Sequence, residues 1–541
     1  MRRRTCRQGR ARRPTSSRSR PAAAVRPAFV GAPRWPPHNA LAGAGPRRFA
    51  GRMRVPPRSR FPAWLRGLCL AAIFAAPVAA APAERPNVLL ILADNWGWPH
   101  AGALGDPAAQ TPAFDRVARE GVLFSNTFCP VPSCSPTRAS VLTGRAAHQL
   151  EDAASLWSAF PRKLKVFTAA LRAAGYEVGV TGKAWSPGNF KDFGWPENPV
   201  GRDYPGGLPE FLAARDRAKP FFFWLGNIDT ASHTWRHAPG DPQDPAAAKL
   251  RVPPMFPDTP EVRATLIAYY ASIRRLDAAA AAALSVLEQE KLLENTVVLY
   301  TSDNGWQLPR GLANCYDTGT RVPLAIRWGS RVRAGRTEAG FVSLTDLAPT
   351  FLELAGVTPP SEMTGRSFLG ALLDRPGAAR ADHVFVERER HANVRRGDLS
   401  YPIRGLRTRE FLYLRNLRPD RWPAGDPQQH FAVGPYGDVD PSAIKELIVT
   451  RAAEPAIAPF FALSFGKRQA EELYDLRADP DQLVNVAGRP EFAAVQRELR
   501  GRVETWMRAT ADPRLDPAYD GWDAMPYFGP APRPPGKAKK N

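Results

Sequence analysis

Cysteine is scarce in this 541-residue chain: five residues, of which Cys6 and Cys69 lie in an N-terminal stretch of distinct composition. The other three, Cys129, Cys134 and Cys315, have neither zinc-ligand spacing nor the density of a disulfide framework. Asp and Glu are absent from residues 1–83, which hold 18 arginines, so the formal charge of +22 leaves only +4 for residues 84–541. A body so close to neutral does not imply a basic groove for nucleic acid. No internal repeat is present. The apolar stretch at 65–78 is short for a membrane span.

The N-terminus reads as two segments joined. Residues 1–52 are rich in Arg, Pro, Ser and Ala without hydrophobic periodicity. Met53 opens a second start: Arg54, Arg58 and Arg60 form a positive region, residues 65–78 an apolar one, and Ala79-Ala80-Ala81 a small-residue cleavage site. That is the pattern of a secretory signal. Residues 1–52 are expected to be a mis-called, disordered extension and 53–81 a signal peptide. The mature chain would be exported, periplasmic or secreted, with no stable membrane insertion after cleavage.

From Pro86 onward strands and helices alternate. NVLLILA at 87–93, PFFFWL at 220–225 and TVVLYT at 296–301 are apolar runs of strand length, and 177–181 is a shorter one. Helical spacing marks 111–120, 166–174, 346–354 (capped by Asp346) and a long Ala-rich stretch at 261–292, expected to break near its middle. Alternation of this kind predicts an α/β fold, a large, mostly parallel sheet covered by helices. Ligands then bind beyond the carboxyl ends of the strands. After about Gly377 the texture changes to strands at 384–386, 402–408 and 411–414 and a helix at 490–509. The expected domains are 85–377 and a smaller α+β unit at 380–525, with 526–541 a Pro- and Lys-rich disordered tail.

Two polar pairs end strands: Asp94-Asn95 and Asp303-Asn304. They offer the carboxylate and amide oxygens that a hard cation such as calcium takes, although each pair alone also reads as a turn signal. Between them lies Cys134-Ser135-Pro136-Thr137-Arg138, continued by Ala-Ser-Val-Leu-Thr-Gly-Arg to Arg145. Pro136 suits the first turn of a helix. Cys134 would then face free N–H groups and the positive end of the dipole, where anions are favoured and a thiol is acidified.

The Cys134–Arg145 run resembles the signature of the formylglycine-dependent sulfatases. Gly175-Tyr176-Glu177-Val178-Gly179-Val180-Thr181-Gly182-Lys183 resembles their second signature. Further likeness lies in Leu344-Thr345-Asp346-Leu347-Ala348-Pro349-Thr350, Thr364-Gly365-Arg366-Ser367 and Leu473-Tyr474-Asp475-Leu476. The resemblance implies an alkaline-phosphatase-like sandwich. It also implies that a maturation enzyme oxidises Cys134 to formylglycine, whose hydrate attacks the sulfur of a sulfated sugar. Asp94, Asn95, Asp303 and Asn304, with the oxidised position 134, would hold Ca2+, with Mg2+ the second choice. Arg138 would stabilise the hydrate and Lys183 would hold the sulfate. His233 is the candidate acid for the leaving group and Asp229 the runner-up.

Three positions depart from the family pattern. Asn95 replaces an aspartate, Trp185 stands where a histidine is usual, and Leu312 lies where a basic residue commonly holds sulfate, with Arg310 a substitute from two residues away. The stretch Tyr401-Pro402-Ile403-Arg404-Gly405-Leu406-Arg407 is most similar to members acting on N-sulfated, heparan-type glucosamine. Glu387, Arg388, His391 and Arg404 are therefore expected at the sugar. Two alternatives stay open: a phosphate or phosphonate ester hydrolase of the same fold, and a catalytically impaired sulfated-sugar binding protein. Assembly into a homo-oligomer is also left open.

Overall fold

The stretch Asn87–Ala93 (β1) is buried along its whole length, as an apolar run inside a parallel sheet must be. Its residues alternate between two cores. Leu89, Ile91 and Ala93 point into one, Val88, Leu90 and Leu92 into the other. Complete burial of each such aliphatic side chain stabilises the fold by roughly 1.5–3 kcal/mol. In this computed structural model the described residues are 85–238, 240–428 and 434–529. The expected extension and signal peptide, and the tail beyond residue 529, lie outside them.

Nine more strands precede residue 344: β2 (Val122–Phe128), β3 (Ser158–Ala159), β4 (Glu177–Gly182), β5 (Gly188–Asn189), β6 (Arg202–Asp203), β7 (Phe221–Asn227), β8 (Thr296–Ser302), β9 (Leu324–Arg327) and β10 (Arg336–Ser343). Eight of them, β1 included, form one sheet in the order β10-β2-β9-β8-β1-β7-β4-β6, while β3 and β5 pair separately. Only β9 runs antiparallel to its neighbours. Helices cover both faces. Pro112–Arg119 and the long helix Pro260–Gln289 lie in one core, Cys134–Thr143, Phe167–Ala173 and Leu347–Leu354 in the other.

A second, antiparallel sheet of β11 (His383–Arg388), β12 (Ile403–Thr408), β13 (Phe411–Asn416) and β14 (Glu471–Asp475) packs against the helix Ala493–Ala509. Both sheets belong to one compact unit. The α/β class with a large, mostly parallel sheet and a smaller C-terminal sheet is as expected.

Three local expectations need correction. The long helix is continuous over 30 residues, because its alanines keep it regular while Leu276, Ala280, Ala283, Leu284 and Leu287 stay buried. Asp346 is the N-cap residue of the helix that follows, but its side chain makes no capping bond to it. Its carboxylate turns back to Ser343 N (2.9 Å) in a capping box at the preceding turn. The helix 490–509 begins with a separate 3-10 turn, Pro490–Phe492. Strands β2, β9 and β10 were not anticipated: in β2 and β10 the apolar residues alternate only weakly with polar ones, and β9 is just four residues long.

Candidate active site

Strands β8, β1, β7 and β4 are neighbours, so their carboxyl ends form one rim. Ala93 is in register with Ser302 and with Asn227. The next residues, Asp94 and Asp303, therefore emerge side by side. The ladder even continues one step, with Asp303 N donating to Ala93 O (3.0 Å). At this point β1 must turn. Asn95 does so with φ +70°, a left-handed conformation that Asn tolerates better than most residues. That turn delivers Asn95 N to Asp303 Oδ1 (3.1 Å).

Cys134 is the first residue of its helix, with Ser133 extended before it as N-cap, and Pro136 stands in the first turn. The thiol donates to Asp94 Oδ1 (3.1 Å) and lies 3.7 Å from Asn95 Oδ1. One helical turn on, Arg138 is fully buried; its Nε donates to Asp303 Oδ2 (2.8 Å) and its Nη1 to the carbonyl of Lys183 (2.6 Å). Lys183 Nζ donates to Asp94 Oδ1 (2.6 Å).

The backbone beneath Lys183 is tightly held. Trp224 Nε1 donates to the same carbonyl (3.1 Å), and Lys183 N donates to Gly226 O (2.9 Å). A side chain on Gly226 would meet Lys183 O at 2.0 Å.

Burial pushes Asp94 upward, but the charges of Lys183 and Arg138 and the bonds from Lys183 and Cys134 win and hold it at about 2. Asp303 goes the other way, to about 6, because burial and the neighbouring Asp94 outweigh Arg138. The Cys134 thiol is not acidified as expected. Burial first, and then the Asp94 carboxylate, raise it well above its ordinary value, outweighing Lys183. As a free thiol it would be a poor nucleophile.

Asp94, Cys134 and Asp303 each offer a ligand atom, all within 4.8 Å of one another. Asn304 Oδ1 and Arg138 Nη2 are buried without a hydrogen-bond partner, and such orphans call for a missing ligand or another explanation. With Asn95 Oδ1, which accepts from Asn304 Nδ2 (2.6 Å), the donors are oxygen-rich. This set fits a hard divalent cation.

The other expected residues fall into two groups. His233 is exposed on the turn Ser232–Thr234, beside Ser232, which is tethered toward the cluster. Asp229 is half-buried, bonded by Asn227 Nδ2 (2.8 Å) and 3.5 Å from Arg275, so its carboxylate is already engaged. Of the residues expected at the sugar, His391 lies nearest the nucleophile in bonding terms: its Nδ1 is 2.8 Å from Ser133 Oγ.

The remaining four are buried in internal contacts in this structure. Arg310 donates to the carbonyls of Leu463 (2.9 Å) and Gln482 (2.5 Å) and stacks on Tyr316. Glu387 accepts from Ala147 N (2.7 Å) and pairs with His148 (2.8 Å). Arg388 is paired with Asp438 and bonded to the Ala313 carbonyl. Arg404 is held by Asp512 (2.5 Å) and Glu389 (2.7 Å). A burial cost this large is tolerated because every charge has a partner.

Trp185 is fully buried, its indole N–H donating to Ser135 O (3.1 Å). It fills the space beneath the Cys134 helix instead of facing a ligand. Leu312 is buried too. Gln307, Ser232 and Asp440 were not anticipated. They bond to one another, and Gln307 bonds to Asn95. Only the four-residue distance of Gln307 from Asp303 could have suggested it.

This geometry is matched by sequence. The sulfatase family profile matches residues 86–196 and 207–357, and the profile for the C-terminal part of N-sulphoglucosamine sulphohydrolase matches 312–422. The chain belongs to the sulfatase family, whose members are hydrolases. It is 31% identical to human (Homo sapiens) N-sulphoglucosamine sulphohydrolase over 478 residues, covering 79% of this chain and 91% of that one. An ulvan-active sulfatase of Formosa agariphila is 26% identical, with 79% and 76% covered. Among solved structures, the phosphonate monoester hydrolase of Agrobacterium radiobacter shares the fold, with TM-score 0.55, 17% identity, and 79% and 96% covered.

Proposed function

We propose that this enzyme hydrolyses the sulfate of sulfated amino sugars, N-sulfated glucosamine of the heparan type first among them, through an oxidised Cys134 and a divalent cation, calcium before magnesium. The observation that carries the reading is the Cys134 thiol, 3.1 Å from Asp94 in a buried cluster with Asp303. It sits at the start of a helix that carries Arg138 back onto Asp303. The likeness to N-sulphoglucosamine sulphohydrolase across 91% of that protein supports the sugar.

Asp94, Asn95, Asp303 and Asn304 would hold the cation, which supplies charge stabilisation to a sulfate oxygen. An aldehyde at position 134, made by a formylglycine-generating enzyme, supplies a hydrated oxygen nucleophile in place of the poorly ionised thiol. The chain's own residues do the rest. Lys183, partly exposed at the rim, is placed to hold an anionic oxygen. Arg138, fixed by Asp303 and the Lys183 carbonyl, keeps positive charge beneath position 134. Such preorganised charge is commonly the largest share of catalysis. His233, exposed beside the tethered Ser232, is the leading proton donor for the departing amine or hydroxyl. The pattern of residues 53–81 supports export. Among the described residues no helix is long and apolar enough to cross a membrane.

Peptide mass spectrometry of the fragment carrying position 134, from the native host, tests the first half: formylglycine is expected, and unmodified cysteine overturns it. Sulfate release from a panel of N- and O-sulfated glucosamines tests the second. Turnover is expected on the N-sulfated sugar. Turnover of phosphate or phosphonate esters alone, or binding without turnover, replaces the reading with one of the two alternatives.

A further inference from the structure

Asn95 is where the chain gives up a carboxylate at the rim, and the side chains behind it explain how its amide is used. Asn95 Nδ2 donates to Gln307 Oε1 (3.0 Å), and the same oxygen accepts from Ser232 N (2.5 Å). On the other end, Gln307 Nε2 donates to Asp440 Oδ2 (2.6 Å), which also accepts from Ser232 Oγ (2.6 Å). Two donors on one side and a carboxylate on the other leave the Gln307 amide a single orientation. A flipped amide would set its N–H groups against two N–H donors and its oxygen against a carboxylate. Gln307 in turn fixes Asn95. With Nδ2 committed to Gln307, Oδ1 faces Asn304 Nδ2 and the Cys134 sulfur.

We propose that Gln307 and Asp440 are positioning residues that lock Asn95 as an oxygen donor to the cation, the missing carboxylate charge having moved outward to Asp440. The inference rests on the cation reading above. It goes beyond it by assigning a function to two residues, 133 positions apart, in a direct hydrogen-bonded relay. Partners behind metal ligands typically change affinity by about 10–100-fold.

A second consequence distinguishes this wiring from simple loss of a ligand. A carboxylate at position 95 would put an oxygen against Gln307 Oε1. Gln307 could relieve that contact only by turning its own oxygen onto Asp440. Asn95→Asp should therefore fail to strengthen cation binding while Gln307 is present, and should strengthen it once Gln307 is replaced by an apolar residue.

The test is calcium chloride titration by calorimetry on the full chain, stripped with a chelator, with each variant's ion-free melting temperature recorded alongside. Gln307→Leu is expected to weaken binding by tenfold or more, and Asp440→Ala by about fivefold. Asp440→Asn, whose amide oxygen can accept both bonds, should stay within about threefold of the parent. Asn95→Asp should bind no tighter than the parent, and Asn95→Asp with Gln307→Leu tighter than Gln307→Leu alone. Ion-free melting temperatures within a few degrees of the parent exclude a folding defect; a variant that melts lower is replaced by Gln307→Met. Parent-like binding by Gln307→Leu or Gln307→Met, or tighter binding by Asn95→Asp alone, overturns the proposal and leaves the cation reading intact. No calcium binding by the parent overturns both.

Discussion

At the rim of the large sheet, Asp94, Asp303, Arg138 and Lys183 are packed together with two polar atoms left over, Asn304 Oδ1 and Arg138 Nη2. Beside the four-stranded sheet, Arg404 lies among Glu387, Glu389 and Asp512, and Arg388 and Arg395 share Asp438. Both regions bury charge, and both leave polar atoms without a hydrogen-bond partner, Arg388 Nε and Arg395 Nη1 in the second; but at the rim ligand atoms of Asp94, Cys134 and Asp303 lie within 4.8 Å of one another, whereas the second region pairs its arginines with carboxylates. The first arrangement suits a ligand; the second ties the C-terminal segment to β11 and β12. Buried charge is thus not itself a sign of chemistry, and what separates the two cases is the convergence of ligand atoms at the rim.

Substitutions that remove one member from each region sharpen the contrast. Cys134→Ala should abolish sulfate release, by more than a thousandfold in kcat, with a melting temperature within a few degrees of the parent. The thiol gives up only its contacts with Asp94 and Asn95, so a large loss of stability would place position 134 with the structural charges instead.

Arg404→Ala should do the reverse. Removing one partner from a buried ion cluster costs about 3–5 kcal/mol, read as a lower midpoint in urea, while the molecules that remain folded keep their kcat. Loss of kcat with unchanged stability would return Arg404 to the substrate.

His391 stands between the two regions, bonded to Ser133 on one side and facing the charges of Asp438, Arg388 and Arg395 on the other. Burial first, and the two arginines against Asp438, lower it to about 4 from an ordinary 6.5. The unfolded chain therefore takes up a proton as pH falls from 6.5 toward 4, and the folded chain does not. Its contribution to stability is full above about pH 6.5 and declines on acidification through that window, by up to roughly 3 kcal/mol. His391→Gln should flatten the stability profile between pH 6.5 and 4 in denaturant titrations; an unchanged slope would mean that the ring takes up its proton in the folded state.

The rim was legible because its parts are local. Each polar pair follows an apolar run of strand length, and the parallel order of β8, β1, β7 and β4 brings those ends together without further information. The Cys134 helix was legible from its proline and its long run of signature residues. The relay behind Asn95 was not, because Gln307 and Asp440 meet only through tertiary packing and neither has a motif. The internal pairing of the C-terminal arginines was hidden for a related reason: a sequence shows an arginine's charge but not whether Asp512, more than a hundred residues on, lies against it. The acidity expected of Cys134 failed because the helix terminus was visible in sequence while the depth of burial and the nearness of Asp94 were not.

Gly226 has no functional group at all, yet Lys183 is measured out from it. With the lysine carbonyl pressed against this bare α-carbon and pinned by Arg138 and Trp224, even a methyl group would lever the ammonium off its mark. Variants that fold, mature and still do nothing should therefore be sought at this chemically silent position as well as among the titratable side chains.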